Sequence, residues 1–256
     1  MKAFVVTGYG LNCEEETAAA YRRAGAEALI VHAEDLFSGA RPLSAAAIVH
    51  ITGGFSFGDN LGSGRVFATR LRYDRRGGAT TLAEELLAWT RGGGQLVGVC
   101  NGFQILVKAG LLPNLSGELL QEVTLAPNTP SGFVDRWMRC ATAPSPSPAF
   151  AGLSALDLPI RHGEGRLLYA NDEVAAACSG LVPLRYVAGL DGRTTNPNGS
   201  TGAAAALTDP TGRVLGMMPH PEAFLDASLH PNRGASPAVT GQPVFDNIVA
   251  AARDHA

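Results

Sequence analysis

Apolar residues follow two rhythms along the chain. Short unbroken runs occur at 2–7 (Lys-Ala-Phe-Val-Val-Thr), 28–32 (Ala-Leu-Ile-Val-His) and 46–52 (Ala-Ala-Ile-Val-His-Ile-Thr), with another at Gln95-Leu96-Val97. Runs of this kind mark parallel strands covered on both faces. Helical spacing fills the gaps. Cys13 to Gly25 is Ala-rich, with Glu14-Glu15-Glu16 at its start and Arg22-Arg23 at its end, charges that suit the helix dipole. Thr81 to Arg91 reads as a second helix, stopped by Gly92-Gly93-Gly94, and Phe103 to Ala109 as a third. The first 110 residues thus predict an α/β fold with a doubly wound, mostly parallel sheet.

Beyond Leu111-Leu112-Pro113-Asn114 the pattern shifts to short β-type segments, among them 133–140 and 158–162, which predict a small antiparallel β insertion. Between them, the prolines of 143–148 (Ala-Pro-Ser-Pro-Ser-Pro) dictate an extended surface loop. In the last third, Asp209-Pro210-Thr211-Gly212 reads as a β-turn joining Ala203–Thr208 to Val214–Met218 as an antiparallel pair. A final amphipathic helix is expected from Val244 to Arg253. No internal repeat appears, so the expectation is one domain over 1–256, with a tail from about residue 225.

Composition narrows the class. With 46% hydrophobic and 17% charged residues the chain can bury a sizeable core. A net charge of −3 without long like-charge blocks offers no surface for nucleic acid or an anionic membrane. The N-terminal apolar run is too short for a signal peptide, and none approaches a membrane span, which predicts a cytoplasmic protein. Cys13, Cys100, Cys140 and Cys178 are widely and unequally spaced, without a C-x-x-C pair, so neither a metal site nor a disulfide framework is expected.

Gly98-Val99-Cys100-Asn101-Gly102 lies between the fourth apolar run and the third helix. Strand, sharp turn and helix form a nucleophile elbow, in which flanking glycines let strand and helix pass closely and the apical side chain points out of the sheet edge. Cys100 also stands at a helix N-terminus, where the dipole favours negative charge. A cysteine nucleophile needs a base and an orienter for that base. Pro219-His220-Pro221-Glu222 supplies both: His220 is braced by prolines, and Glu222, two residues on, projects to the same side of an extended segment. For an oxyanion, the candidate donors are the Asn101 N–H and the Gly53-Gly54-Phe55 loop that ends the third run. Cys13, Cys140 and Cys178 read as structural thiols, His32 and His50 as core histidines, and His230 and His255 as exposed. His162, within Arg161-His162-Gly163-Glu164-Gly165-Arg166, fits a loop near a ligand as well as a simple turn.

Together these segments resemble the class I (triad-type) glutamine amidotransferases, and within them the glutaminase subunits of phosphoribosylformylglycinamidine synthases. The segments are Asn12-Cys13-Glu14, Gly53 to Asp59, Cys100-Asn101-Gly102-Phe103-Gln104, His162-Gly163-Glu164-Gly165, Asn196-Pro197-Asn198-Gly199-Ser200 and His220-Pro221-Glu222. The resemblance implies a flavodoxin-like sheet and a γ-glutamyl thioester on Cys100, with His220 as acid/base and Glu222 as its orienter. It also implies glutamine or oxyanion contacts from Gln104 and from Gly53, Gly54 and Phe55. Ammonia passes to a large synthetase subunit that uses ATP and Mg with formylglycinamide ribonucleotide, alongside a small third subunit. No cofactor or metal is expected in this chain. Gly8-Tyr9-Gly10-Leu11 and Ala223 depart from the family pattern and are expected, with the 225–243 tail, at the docking surface. The alternatives are another triad-type amidotransferase, a γ-glutamyl hydrolase, or a non-catalytic regulatory module of the same fold.

Overall fold

A computed structural model describes residues 1–76, 79–232 and 239–253. The chain runs β1 (Lys2–Thr7), α1 (Glu14–Arg23), β2 (Glu27–His32), α2 (Ala33–Phe37), β3 (Ile48–Ile51), α3 (Arg65–Tyr73), β4 (Arg75–Arg76), β5 (Thr80–Thr81), α4 (Leu82–Arg91), β6 (Gln95–Val99) and α5 (Asn101–Lys108). It continues through β7 (Val123–Pro127), β8 (Val134–Thr142), β9 (Ala155–His162), β10 (Glu164–Tyr169), α6 (Asp172–Ala177), β11 (Leu184–Gly189), β12 (Ala206–Thr208), β13 (Val214–Met217) and α7 (Gln242–Arg253).

The central sheet has the order β12-β13-β6-β3-β1-β2. Every pairing in it is parallel except β12 with β13 at the edge. The expected doubly wound architecture is present, but it is not confined to the first 110 residues. β13 comes from the last third of the chain and docks beside β6, with Gly216 opposite Gly98. This docking carries the segment after β13 to the end of β6, where Cys100 sits.

Alternation along β3 shows the two covered faces. Val49 and Ile51 pack with Phe67, Leu71, Leu82 and Leu86 of α3 and α4, whereas His50 faces Tyr21 of α1 and Phe245 of α7. A capping box between Thr81 and Glu84 starts α4. Phe103 of α5, 1% exposed, lies over Gly216, where a Cβ would fall 2.0 Å from its ring. Burying such a ring contributes about 2 kcal/mol, so glycine here decides whether α5 can seat. The buried apolar residues form one continuous cluster through sheet and insertion.

The antiparallel insertion comprises a three-stranded sheet, β11-β8-β9, and the ribbon β10-β7. The turn from β9 into β10 carries Arg161 to Gly165 back to the sheet's carboxyl edge. Two expectations change. His32 is exposed, because β2 is the edge strand, and its Nδ1 accepts from the Glu34 N–H to cap α2. His230 is buried, because the segment after residue 225 folds back and sets its ring against Trp137 and Phe224. The Gly8-Tyr9-Gly10-Leu11 segment wraps the glycine loop: Leu11 bridges Gly54, and Tyr9 stacks on Phe57 at 4.7 Å between centroids. His255 and residues 233–238 of the tail lie outside the described residues.

Candidate active site

Cys100 follows β6 directly and is the residue before α5, with φ 53° and ψ −105°. A side chain in this left-handed region is strained, and the surroundings hold it there. Its N–H donates to the Met217 carbonyl at 2.8 Å, and Gln104 donates back to its carbonyl at 3.1 Å. The glycines of the elbow are needed for the crossing: a Cβ on Gly102 would lie 2.0 Å from the Ile51 carbonyl oxygen, and one on Gly98 2.6 Å from the Gly102 backbone.

His220 arrives from the end of β13. Its N–H donates to the Pro159 carbonyl at 2.9 Å, which ties the segment to β9. Nδ1 lies 2.5 Å from Glu222 Oε1, and both side chains are almost wholly buried. Burial alone would push the imidazole toward neutrality; the Glu222 carboxylate, then Cys100, outweigh it and raise the His220 pKa well above its usual value. Burial likewise disfavours the Glu222 carboxylate, but His220 outweighs it and lowers that pKa. The two form a charge-assisted pair with Nδ1 committed to Glu222, which leaves Nε2 for Cys100. Nε2 has no hydrogen-bond partner among the described residues.

The site opens into a cavity of about 150 Å³ lined by Asn12, Cys13, Gly54, Phe55, Cys100, Phe133, Arg161 and His220. A larger hollow of about 440 Å³ lies under the Pro-rich loop, but no titratable side chain lines it. Chemistry therefore selects the smaller one. Gly53 adjoins the triad so closely that a Cβ would meet His220 Cε1 at 2.9 Å. Among the oxyanion candidates, the Phe55 N–H already donates to the Gly10 carbonyl at 2.8 Å. The Gly54 and Asn101 N–H groups donate to no protein acceptor among the described residues. Gln104 does not line the cavity. Its Oε1 accepts from Asn101 Nδ2 at 2.8 Å and its Nε2 donates to the Glu164 carbonyl at 2.5 Å, so it fastens α5 to the start of β10.

Pattern reading missed several groups here. Cys13, read as structural, lines the cavity with Cys100 and His220, and its Sγ donates to Asn12 Oδ1 at 3.1 Å. It is held by the loop bridge to Gly54, a contact invisible to local periodicity. Arg161 lines the cavity and has no ion pair among the described residues, and its carbonyl lies 3.5 Å from Cys100 Sγ. Phe55 and Phe133 flank the mouth with ring centroids 6.2 Å apart. His162 packs behind the site: Nδ1 is 3.1 Å from Asn128 Oδ1, which also accepts from the Gly165 N–H. Asn198 and Ser200 donate to the Gly165 carbonyl, so the Asn-Pro-Asn-Gly-Ser segment fixes the turn between β9 and β10. Cys13, His220 and Glu222 present donor atoms within 4.8 Å of one another. His220 and Glu222 are already bonded to each other through Nδ1 and Oε1.

A thiol on a strained elbow, a buried imidazole–carboxylate pair and unspent backbone donors make up the machinery for acyl transfer. Residues 1–250 match the model of the CobB/CobQ-like glutamine amidotransferase domain. The chain belongs to that family. It is 35% identical to the phosphoribosylformylglycinamidine synthase subunit PurQ of Dehalococcoides mccartyi over 262 aligned residues, covering 99% of this chain and 98% of the relative. It is 36% identical to the subunit PurQ of Thermus thermophilus over 235 residues, covering 90% and 92%. Among solved structures, a chain of PurLQS from Thermotoga maritima superposes with a TM-score of 0.72 at 27% identity, covering 97% of each. Family membership and fold thus agree with what the motifs imply.

Proposed function

We propose that this chain is the glutaminase subunit of a phosphoribosylformylglycinamidine synthase, and that Cys100, His220 and Glu222 carry its chemistry. The observation that bears most weight is the Nδ1–Oε1 pair at 2.5 Å beside a cysteine on a strained elbow. Cys100 Sγ, its proton taken by His220 Nε2, attacks the side-chain amide carbon of glutamine. The Gly54 and Asn101 N–H groups receive the developing oxyanion. His220 gives its Nε2 proton to the departing nitrogen, which leaves as ammonia, and a γ-glutamyl thioester remains on Cys100. His220 then takes a proton from water, whose oxygen displaces the thiolate and releases glutamate. Glu222 stabilises the imidazolium throughout. Arg161 pairs with the α-carboxylate of glutamine, since it lines the cavity and is a cation with no ion pair among the described residues.

Ammonia is then used by a large synthetase subunit, which holds ATP and Mg and acts on formylglycinamide ribonucleotide, with a small third subunit in the assembly. The naming of the PurQ relatives as subunits supports this reading. No helix among the described residues is long and apolar enough to cross a membrane, and the reading places the work in the cytoplasm. Glutamate release by the chain mixed with its synthetase, ATP and formylglycinamide ribonucleotide tests it. Cys100→Ala is expected to abolish release, a loss of about 10³-fold or more; undiminished release by that variant overturns the assignment.

A further inference from the structure

Asn101, the first residue of α5, is wholly buried next to the nucleophile and does not line the cavity. Its carboxamide instead joins the walls of the site. Oδ1 accepts the Ser56 N–H at 3.0 Å, and Nδ2 donates to Gln104 Oε1 at 2.8 Å, one helical turn on. Gln104 Nε2 then donates to the Glu164 carbonyl. The chain of bonds runs from the loop after β3, through two side chains of α5, to the first residue of β10.

The two ends fix its direction. The backbone N–H of Ser56 can only donate and the carbonyl of Glu164 can only accept, so each amide between them has one allowed orientation. Gln104 gives its NH2 to Glu164 and turns its oxygen to Asn101. Asn101 answers with its NH2, which leaves its oxygen for Ser56. Both amides are thereby satisfied at each end. A buried network with every member satisfied rigidifies what it connects.

It connects the two elements that carry the unspent backbone donors. The Gly54 N–H lies two residues before Ser56, and the other N–H belongs to Asn101 itself. From the opposite side, the Asn12 N–H donates to the Gly53 carbonyl at 2.7 Å and the Phe55 N–H to the Gly10 carbonyl at 2.8 Å. Those bonds seat the loop on residues 10–12 but leave its distance from α5 open. Gly53 and Gly54 have no side chains with which to fix that distance themselves. The bond from Ser56 to Asn101 supplies it.

We propose that the Asn101 carboxamide is the strut that sets the spacing of the two oxyanion donors, with Gln104 holding the strut in its orientation. This rests on the reading of the Gly54 and Asn101 N–H groups as those donors. Asn101 then acts twice, through its own N–H on the oxyanion and through its side chain, as a positioning residue, on the Gly54 N–H. The side chain governs only steps in which an oxyanion develops: attack on the amide and hydrolysis of the thioester. A reaction of Cys100 that forms no oxyanion lies outside its influence.

The test compares two reactions of Cys100 in the assembled complex. One is glutamate release; the other is alkylation by iodoacetamide, in which sulfur displaces iodide and no oxyanion forms. Asn101→Leu, close in volume but without a polar atom, is expected to lower kcat for glutamate release about 100-fold, with the KM for glutamine within about threefold. Its alkylation rate and the pH dependence of that rate are expected to stay at wild-type values, because the elbow and the pair of His220 with Glu222 are untouched. Gln104→Met, which frees the Asn101 amide to turn over, is expected to lower kcat about 10-fold with alkylation again unchanged. It serves if Asn101→Leu does not fold by circular dichroism. A folded Asn101→Leu or Gln104→Met with kcat within about threefold of wild type overturns the proposal. So does a fall in alkylation that matches the fall in kcat, which places the damage in the elbow itself. Failure of the glutaminase reading looks different: the wild-type complex then releases no glutamate, or Cys100→Ala still does.

Discussion

His220 and His162 are 3% and 2% exposed and interact electrostatically, yet their pKa values move in opposite directions. Burial dominates at His162 and pushes it down to about 4, with the neighbouring His220 adding to the shift. At His220 a carboxylate 2.5 Å away reverses the sign. One residue type at one depth is a structural wedge between β9 and β10 and, in the proposed mechanism, a proton carrier at the sheet edge. The partner on the second ring nitrogen makes the difference, an amide oxygen for His162 and a carboxylate for His220.

The comparison breaks most sharply if the partner is neutralised. Glu222→Gln keeps the shape but removes the charge, and is expected to lower kcat by about 10³-fold while the His220 pKa falls. Single-turnover thioester formation in the complex measures the first, and the pH of half-maximal alkylation at the site the second. A Glu222→Gln enzyme within tenfold of wild type, a margin of about 1.4 kcal/mol, removes the distinction between the two histidines.

Acid stability tests the other side. His162 and His50 each have a depressed pKa of about 4 in the folded state. Between pH 6.5 and about 4 the unfolded chain binds protons there that the folded chain does not, so stability falls as pH falls. Each contributes up to about 3 kcal/mol across that window. Glu222, whose pKa is lowered, loses stability in the same direction under more acidic conditions, whereas His220, whose pKa is raised, gains on acidification. Urea denaturation at pH 7 and pH 4.5 is expected to show the fall, and His162→Asn a shallower one. A His162→Asn chain with an unchanged slope assigns the effect elsewhere.

The smallest effect concerns substrate. Arg161→Gln is expected to raise the KM for glutamine about 20-fold through the loss of a charge-assisted contact, with kcat within about threefold. Wild-type enzyme given 4-aminobutanamide, which lacks the α-carboxylate, should show the same handicap, and the variant should no longer prefer glutamine over it. An unchanged KM removes Arg161 from substrate binding.

How much of this was legible follows from range. The elbow was legible because Gly98, Cys100 and Gly102 report a backbone crossing that any side chain there would block. The pairing of His220 with Glu222 was legible because it spans two residues. His32 and His50 looked alike in their apolar runs, and only sheet order separates them: β2 is an edge strand and β3 is central. His230 and Cys13 escaped for the same reason. One is buried by a tail folding back on Trp137, the other is carried to the cavity by a loop bridging Gly54. Gln104 was expected at the substrate, but both ends of its amide are tied to protein.

The position of β13 gives the site a timetable. The nucleophile is complete once residues 98–108 fold on β6, but its base belongs to a strand made more than a hundred residues later that must slot in beside it. A chain still emerging from the ribosome therefore presents the elbow before His220 can reach it.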